Sequence, residues 1–449
     1  MILLPLSLAF ALMGQSATSE PASDRSEAAP QDVLAYDAMS LEELLQTVVT
    51  ASKKEESILE APGVVEVITA ADIAAFGALN LRDVLERATG VVMPSSQLFP
   101  QNNVSLRGDV RGPDSHVLIL LNGRPFRESN TGGQNYPLYM AFPLQAVERI
   151  EIVRGPGSVL YGSNAFTGVI NVITKTGRKA RSEAAVQYGS FGTAQGNVSA
   201  GHAWKDLEVF AAAKFSNSRG WRWGLTDAAG ITDSVRFHER NVGVTGGARY
   251  KGLTLNTLYA QSQQPSLGSD YIWPSVTAEG DRLLVDLGYT HSLGNNWSAT
   301  ANLTHNRGNY RLPALPPPFP FRGNRPYNRS RSRDYLAEVS VNGKLFRGLN
   351  LLVGGVADYQ TGGRANGAPP PPGQGVEVPL SIIRPYDWIW WSGYGQVEYR
   401  PVSLVKLVAG AQLNKTNRVK AALVPRFGTI FNFTPELGAK LLYGEAFHS

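Results

Sequence analysis

The chain has 449 residues, a formal net charge of +5 and no cysteine. The lack of cysteine excludes disulfide bonds and cysteine-ligated metal sites. Its lysines and arginines are scattered along the chain instead of being gathered on one helix, which argues against nucleic-acid binding. The 46 glycines, 17 tyrosines and 8 tryptophans favour many strands joined by turns. Beyond the N-terminus no apolar run reaches the roughly 20 residues of a membrane-spanning helix.

The first 46 residues are predicted to be an export signal followed by a linker. Met1 to Ala17 is apolar and ends in small residues, so we predict a signal peptide over residues 1–19, although no Lys or Arg precedes its apolar core. Residues 20–46 contain many polar, Ala and Ser residues and predict a flexible segment, which disfavours a buried helix of a cytoplasmic protein. Within that segment, Ser40 and Glu43 have the capping-box spacing of a short helix over 41–45.

A small mixed α+β domain is predicted from residue 47 to residue 177. It opens with the β-branched segment Thr47 to Ala51, which fits either an extended segment that adds to another sheet or an ordinary first strand. A strand over 62–69 and a short helix over 72–77 follow, then an amphipathic helix over 81–89 that ends at Gly90. Two further strands, 104–108 and 117–122, complete the sheet, and Asn122 stands in a left-handed turn.

The most informative stretch is Ala146 to Thr176, AVERIEIVRGPGSVLYGSNAFTGVINVITKT. A β-branched strand meets the glycine-rich turn RGPGS, and a second buried strand follows. This stretch resembles, without gaps, the plug signature of TonB-dependent outer-membrane receptors. The order of elements over residues 47–177 is similar to that plug from end to end.

The resemblance implies specific roles for some of these residues. The segment Thr47, Val48, Val49, Thr50 and Ala51 is similar to the TonB box, which binds the energy-transducing TonB complex in the periplasm. Arg107 and Arg154 stand where the family's plug arginines pair with barrel glutamates. Glu445, in the sequence YGEAF, stands where one of those glutamates is expected.

After residue 182 the chain changes to long alternating segments, of which we count about thirteen. Short turns alternate with four long loops, Ser216–Glu239, Gln264–Asp281, Gly308–Arg333 and Thr361–Asp387. This asymmetry is typical of an outer-membrane barrel and is not needed in a soluble β-sandwich. Trp204 and Trp297 lie beside short turns, as an interfacial aromatic belt requires.

The predicted fold is therefore mainly β, with an N-terminal mixed α+β plug inside a C-terminal antiparallel transmembrane β-barrel. Plugged transporters of this kind have about 22 strands. Because YGEAF resembles a mid-barrel signature, residues 182–449 are predicted to be the N-terminal part of a barrel, from a receptor that is incomplete at its C-terminus.

The ligand prediction depends on the long loops. The stretch from Arg307 to Arg333 contains seven arginines and no acid, and its neighbours carry several aromatic residues. Such a set suits a planar aromatic anion. The ligand-binding candidates are Arg311, Arg322, Arg325, Trp221, Trp223, Tyr271 and Trp273. A ferric siderophore is favoured over cobalamin or another metal complex, haem is disfavoured, and contact of the arginines with lipopolysaccharide phosphates remains the alternative.

No catalytic arrangement is evident. The six histidines show no pair at zinc-ligand spacing, and Ser158 lacks the spacing of a hydrolase elbow. We therefore expect no enzyme, no metal site and no cofactor. The predicted function is TonB-dependent uptake, most simply of a ferric siderophore, in the outer membrane of a Gram-negative bacterium. Residues 64–176 argue against a plugless porin, and a truncated, non-functional receptor remains open.

Overall fold

The computed structural model describes residues 47–96, 101–109, 116–130, 133, 135–226, 232–265, 277–312, 328–366, 383–417, 419–434 and 437–446. The predicted signal peptide over 1–19, the linker over 20–46 and the helical turn over 41–45 lie outside these residues. None of the helices in the described ranges is long and apolar enough to cross a membrane.

The N-terminal part is a mixed domain built on a five-stranded sheet of order β3-β10-β11-β8-β9. β8 and β11 run parallel and the other pairs are antiparallel. Three two-stranded sheets flank it, β1-β2, β4-β7 and β5-β6. The strands are β1 (Thr47–Val48), β2 (Glu56–Ser57), β3 (Val64–Thr69), β4 (Val91–Val92), β5 (Ser95–Ser96), β6 (Gln101–Asn102), β7 (Ser105–Leu106), β8 (Val117–Leu121), β9 (Arg124–Pro125), β10 (Val147–Arg154) and β11 (Gly168–Thr174).

Local sequence explains the helices of this domain. The helix Ala70–Phe76 begins with a capping box between Thr69 and Asp72 and ends at Gly77 in the left-handed region. The helix Leu81–Leu85 buries its predicted apolar face but is shorter than the predicted 81–89. Two further helices are Tyr136–Ala141 and Ser158–Tyr161. Asn122 adopts the expected left-handed turn, with φ 49°.

The C-terminal part is a 13-stranded antiparallel sheet in which each strand pairs with its sequence neighbours, from β12 to β24. Its strands are β12 (Glu183–Gly189), β13 (Thr193–Ala203), β14 (Leu207–Thr226), β15 (Thr232–Tyr250), β16 (Leu253–Pro265), β17 (Thr277–Leu293), β18 (Trp297–Leu312), β19 (Asn328–Phe346), β20 (Leu349–Asn366), β21 (Ile383–Val402), β22 (Val405–Thr416), β23 (Ala422–Asn432) and β24 (Gly438–Gly444). The predicted fold class, a mixed plug with an antiparallel barrel sheet, is confirmed.

The two faces of this sheet have opposite character, because successive side chains point to opposite sides of a strand. The inner face is buried and largely polar against the plug, with Asp286, Thr304, Asp358 and Gln412 among its residues. The outer face carries large exposed apolar side chains, among them Leu303, Val339, Val353, Trp391, Leu413, Leu423 and Phe427. A sheet that is polar inside and apolar outside is typical of a barrel wall in a membrane.

The plug packs directly on the concave face of the sheet. The helix Tyr136–Ala141 contacts β14 to β17, and the main apolar core joins plug residues to Phe210, Leu258 and Leu284 of the wall. One close approach depends on glycine: a Cβ atom at Gly243 of β15 would lie 1.8 Å from the Ala141 carbonyl oxygen. The backbone of the plug therefore lies in direct contact with the backbone of β15. We call the 13-stranded sheet the wall.

The strands extend further than the sequence predicted. The segment 216–239 was expected to be a loop, but β14 continues to Thr226 and β15 begins at Thr232. In the same way β18 continues to Leu312, and β19 begins at Asn328. Cross-strand pairing sustains these polar extensions, which have no apolar pattern of their own.

We predict that Gly243→Val loosens the plug, because the new side chain meets the Ala141 backbone and over-packing costs about 1–3 kcal/mol. The measurement is the midpoint of thermal unfolding of the purified protein, which should fall. Gly393→Val is the matched control, since a Cβ at the exposed Gly393 meets nothing within 4 Å. Equal midpoints for the two variants would contradict the close fit.

Candidate functional site at the junction of the plug and the sheet

The segment Thr47 to Ala51 is buried between the plug and the wall. Val48 is fully buried, and Thr50 and Ala51 are nearly so. Regular strand pairing is brief here, because β1 and β2 match only Thr47 with Ser57 and Val48 with Glu56. The backbone of the segment must therefore find most of its hydrogen bonds elsewhere.

Several of these hydrogen bonds go to one carboxylate, that of Glu151. Glu151 Oε2 accepts hydrogen bonds from Val49 N (2.9 Å), Thr50 N (2.9 Å) and Thr50 Oγ1 (2.6 Å). Its other oxygen accepts from Arg149 Nε at 2.8 Å. Glu151 is fully buried in β10, an inner strand of the five-stranded sheet, so these donors compensate the loss of water around its charge. The segment is thus fixed to the plug by charge-assisted hydrogen bonds.

Two neutral side chains complete the attachment. Asn171 Nδ2, opposite Glu151 on β11, donates to Thr50 Oγ1 at 2.9 Å. Tyr161 donates from its hydroxyl to the Thr50 carbonyl at 3.0 Å. Burial, with a smaller contribution from the Glu151 charge, raises the pKa of Tyr161 well above its usual range. The phenol therefore stays protonated and remains a donor.

The next residues of the chain bind the wall through charge. Lys53, held at φ 58°, places its Nζ 2.5 Å from Glu338 of β19 and 3.2 Å from the Tyr394 hydroxyl. The ammonium also lies over the rings of Tyr394 and Tyr161, at 4.5 and 5.0 Å from their centroids. Burial lowers the pKa of Lys53, and the Glu338 charge opposes that shift.

Two plug arginines reach neighbouring carboxylates of the wall. Arg124 pairs with Glu338 at 2.5 Å and with Asp286 at 3.2 Å, and Arg127 pairs with Asp358 at 3.0 Å. These groups are nearly fully buried, so each needs its partner. Glu338 is shared by Lys53 and Arg124, which links the segment after Ala51 to the rest of the plug.

A second group of ion pairs lies towards the short-turn end of the sheet. Lys54 pairs with Glu398, and Lys406 pairs with Glu56 at 2.6 Å and with Glu398 at 3.1 Å. The Lys440 ammonium donates to three plug carbonyls, those of Ile58, Ala61 and Gly63. The chain from Lys53 to Gly63 is therefore tied to the wall from β19 to β24.

The sequence analysis missed these charge pairs. The sequence nevertheless contained a sign of them. Glu338, Asp358 and Glu398 lie in three consecutive strands, at positions whose alternation with apolar residues places them on the inner, buried face. A buried acid at such a position is stabilised by a nearby cation, and the plug supplies one to each of these three. Which plug cation meets which acid depends on the fold and could not be read from the chain.

In the described residues neither Arg107 nor Arg154 pairs with Glu445, the one barrel glutamate that the sequence offered to them. Arg154 instead pairs with Glu66, another plug residue, and donates from Nε to the Thr89 carbonyl at 3.0 Å. Arg107 is exposed in a left-handed turn, with φ 56°. Glu445 is exposed and accepts a hydrogen bond from the Tyr443 hydroxyl. Both arginines line a cavity of about 380 Å³ between the plug and β23–β24.

The two predicted ligand tryptophans face the inner side of the sheet because of a β-bulge. Ser218 of β14 pairs with Glu239, but Trp221 pairs with Phe237, so β14 holds one extra residue. Gly220, at φ 68°, accommodates it. The bulge places Trp221 and Trp223 on the face of β15 that carries Phe237 and Val235. Trp221 stacks on Phe237 with centroids 4.2 Å apart.

The other ligand candidates divide into two groups. Arg322, Arg325, Tyr271 and Trp273 lie outside the described residues. Arg311 lies on β18, next to Tyr310, whose buried side chain contacts plug residue Tyr136. Arg311 was expected in a loop, but it lies on the strand and is exposed on the opposite face, away from Trp221 and Trp223. In the part of the chain that the structure describes, no cluster of three or more His, Asp or Glu could hold a metal ion.

A mixed plug tied by charge pairs to an antiparallel sheet, polar within and apolar outside, defines a plugged outer-membrane receptor. Two family models agree: the TonB-dependent Receptor Plug Domain matches residues 57–169, and the TonB dependent receptor-like beta-barrel matches residues 218–449. The chain belongs to the TonB-dependent receptor family. Receptors of this family reside in the outer membrane and are transport receptors, not enzymes.

Individual relatives match over shorter lengths. The chain is 33% identical over 145 residues to the vitamin B12 transporter BtuB of Photobacterium profundum, covering 32% of this chain and 22% of that protein. It is 35% identical over 145 residues to an iron-regulated outer membrane virulence protein of Vibrio cholerae, covering 31% and 21%. The aligned part thus spans about a fifth of the length of these relatives.

Solved structures share the fold. The pyoverdine receptor FpvA of Pseudomonas aeruginosa, bound to pyoverdine, superposes with a TM-score of 0.67 at 14% identity, over 90% of this chain and 65% of that one. The alcaligin receptor FauA of Bordetella pertussis gives 0.65 at 16% identity, over 90% and 66%. The chain therefore spans slightly less than two thirds of these structures.

We predict that Glu151→Gln releases the segment Thr47 to Ala51, because the charge-assisted hydrogen bonds of Val49 and Thr50 become weaker neutral ones. Hydrogen exchange at these two amides should accelerate about tenfold or more. Glu148→Gln is the control, since the Glu148 carboxylate pairs with Lys179 at 2.6 Å and with Arg149 at 3.4 Å, and not with Val49 or Thr50. Unchanged exchange in Glu151→Gln would show that the carboxylate does not hold the segment.

Proposed function

We propose that this receptor carries a ferric siderophore across the outer membrane of a Gram-negative bacterium, driven by the TonB complex of the periplasm. The observation that carries the proposal is the position of Thr47 to Ala51. A short β-branched segment lies at the junction of plug and wall, and side-chain hydrogen bonds, chiefly to the Glu151 carboxylate, hold it in place of a full strand ladder. A segment held in this way can be exchanged for pairing with another protein's sheet edge.

The proposed cycle follows from the order of contacts along the chain. TonB pairs with Thr47 to Ala51 once the hydrogen bonds to Glu151 are given up. Force on the segment then acts first on Lys53 and Lys54, whose partners Glu338 and Glu398 belong to the wall. Separation of these pairs frees the adjoining plug segment from β19 to β21 and lets the plug rearrange for passage of the ligand.

The ligand is proposed to bind on the inner side of the sheet above the plug, where the bulge of β14 directs Trp221 and Trp223. Two indole faces suit a chelate with aromatic or extended planar groups. The Vibrio cholerae relative is named as iron-regulated, and the structural neighbours include pyoverdine and alcaligin receptors. Cobalamin is the second candidate, favoured by the similarity to the vitamin B12 transporter of Photobacterium profundum.

Val49→Pro should abolish uptake and leave ligand binding intact, because proline removes a backbone donor that an added strand requires. The measurement is accumulation of ⁵⁵Fe-labelled siderophore, and of labelled cyanocobalamin in parallel, in cells with and without TonB. Val65→Pro, within the plug sheet, controls for general disruption and should reduce both binding and uptake. Wild-type uptake by Val49→Pro would refute the assigned TonB-binding segment.

Replacement of both Trp221 and Trp223 by alanine should weaken ligand binding by about tenfold or more, since each stacking contact contributes about 1 kcal/mol. Equilibrium titration of the purified receptor with ferric siderophores and with cyanocobalamin measures the effect and separates the two candidates. Trp204→Ala is the control, because Trp204 is 53% exposed beside a short turn at the other end of the sheet. An equal loss of affinity in Trp204→Ala would refute the assignment of Trp221 and Trp223 to the ligand surface.

A further inference from the structure

The outer face of β19 changes character along its length. From the long-loop end it presents Arg329, Arg331, Arg333 and Tyr335, and then small and aliphatic residues down to Val341. The alternate residues Ser330, Ser332 and Asp334 are buried on the inner face. The arginines therefore point away from the plug, on the side that also carries the exposed apolar residues of the wall.

Strand β18 adds two arginines to the same face. Arg307 lies directly opposite Arg333, and Arg311 lies directly opposite Arg329. We call the five residues Arg307, Arg311, Arg329, Arg331 and Arg333 the outer arginine patch. It occupies two adjacent strands and about 14 Å of strand length. Like charges directly opposite one another destabilise a sheet, so this register favours a polyanion bound at the patch.

Nearby acids compensate only part of the charge. On β17, Asp281 pairs with Arg307 at 3.3 Å and also accepts hydrogen bonds from Asn309. Glu279, opposite Arg311, accepts hydrogen bonds from Gln261 and Gln263. Five arginines thus face two carboxylates on β17 to β19. The outer face of these strands therefore carries a net positive charge.

Aromatic rings mark the level immediately below the patch. His305, Tyr335 and Tyr359 form a stacked row across β18, β19 and β20, with centroids 4.6 and 6.3 Å apart. Below that row the outer face shows Leu303, Val339 and Val353, all exposed. The order basic, aromatic, aliphatic matches the order headgroup, interface, hydrocarbon of a bilayer leaflet.

We propose that the outer arginine patch binds the phosphate groups of lipopolysaccharide in the outer leaflet, on the outside of the wall. Guanidinium groups bind phosphate oxygens through two parallel hydrogen bonds, and opposed arginines can share one such anion. The patch is separated by the wall from the inner surface that carries Trp221 and Trp223. The inference rests on the outer-membrane location in the proposed function, but not on the identity of the transported ligand.

The test compares two double variants of the full receptor, purified in detergent. Arg331→Gln with Arg333→Gln removes two patch charges. Lys344→Gln with Arg347→Gln removes two exposed charges at the opposite, short-turn end of β19 and is the matched control. The probes are bisphosphorylated lipid A, the same lipid A without its phosphates, and inorganic phosphate, with binding measured at equilibrium.

The patch variant should bind bisphosphorylated lipid A at least about tenfold more weakly than wild type, and the control should bind it equally. Dephosphorylated lipid A should bind wild type as weakly as phosphorylated lipid A binds the patch variant. In lipid-free micelles the patch variant should unfold at the same or a higher temperature than wild type, because the repulsion between Arg307 and Arg333 is gone. Lipid A should then raise the wild-type midpoint more than that of the variant.

Equal affinity of the patch variant and wild type for lipid A would overturn the proposal, as would equal binding of the dephosphorylated lipid. If inorganic phosphate displaced lipid A at a concentration equal to that of lipid A, the patch would be a site for a free anion, and the proposal would also be overturned. Recovery of the wild-type receptor outside the outer-membrane fraction would instead refute the proposed function. Wild-type ligand uptake by the patch variant, together with weak lipid A binding, supports two separate surfaces.

Discussion

The structure depends on the pairing of buried charges across the boundary between plug and wall. The inner face of the sheet carries carboxylates at Asp286, Glu338, Asp358 and Glu398, and the plug brings Lys53, Lys54, Arg124 and Arg127 to them. Removal of one partner of such a pair leaves an uncompensated buried charge and costs about 3–5 kcal/mol. These pairs act together with the apolar core that joins the plug to Phe210, Leu258 and Leu284 of the wall.

The segment Thr47 to Ala51 is held according to the same principle. It takes little strand pairing, and its backbone depends on side chains. Glu151 accepts hydrogen bonds from Val49 N and Thr50 N, Tyr161 donates to the Thr50 carbonyl, and Arg426 of the wall donates to the Ala51 carbonyl at 3.2 Å. The attachment is therefore concentrated on a few side chains instead of being spread over a ladder. Lys53 follows within two residues and carries the connection on to the wall through Glu338. The attachment to TonB in the proposed function would therefore act on the plug and on its contacts with the wall in sequence.

The period of two along the strands determines which surface each side chain serves. On β18 and β19 the regular alternation places five arginines outside and leaves Tyr310, Ser330 and Asp334 inside. On β14 a single extra residue near Gly220 reverses the alternation and places Trp221 and Trp223 inside. From composition alone, these arginines and tryptophans were expected to form one ligand surface. In the sheet they lie on opposite faces, because a shift of one residue moves a side chain from one face to the other.

Much of the fold could be predicted from the sequence by itself. The stretch Ala146 to Thr176 identified the plug, and the alternation after residue 182 gave the thirteen strands, because both signals are local: glycine where the backbone turns and a period of two along each strand. The ends of the strands beyond residues 216, 308 and 361 could not be predicted, since polar extensions are sustained by cross-strand pairing and not by their own pattern. The partners of the charges were likewise decided only by the tertiary structure. Glu338 meets Lys53 and Arg124 because the plug is seated in the wall, which brings together residues far apart in the chain. Arg154 meets Glu66 because β10 pairs with β3 inside the plug sheet.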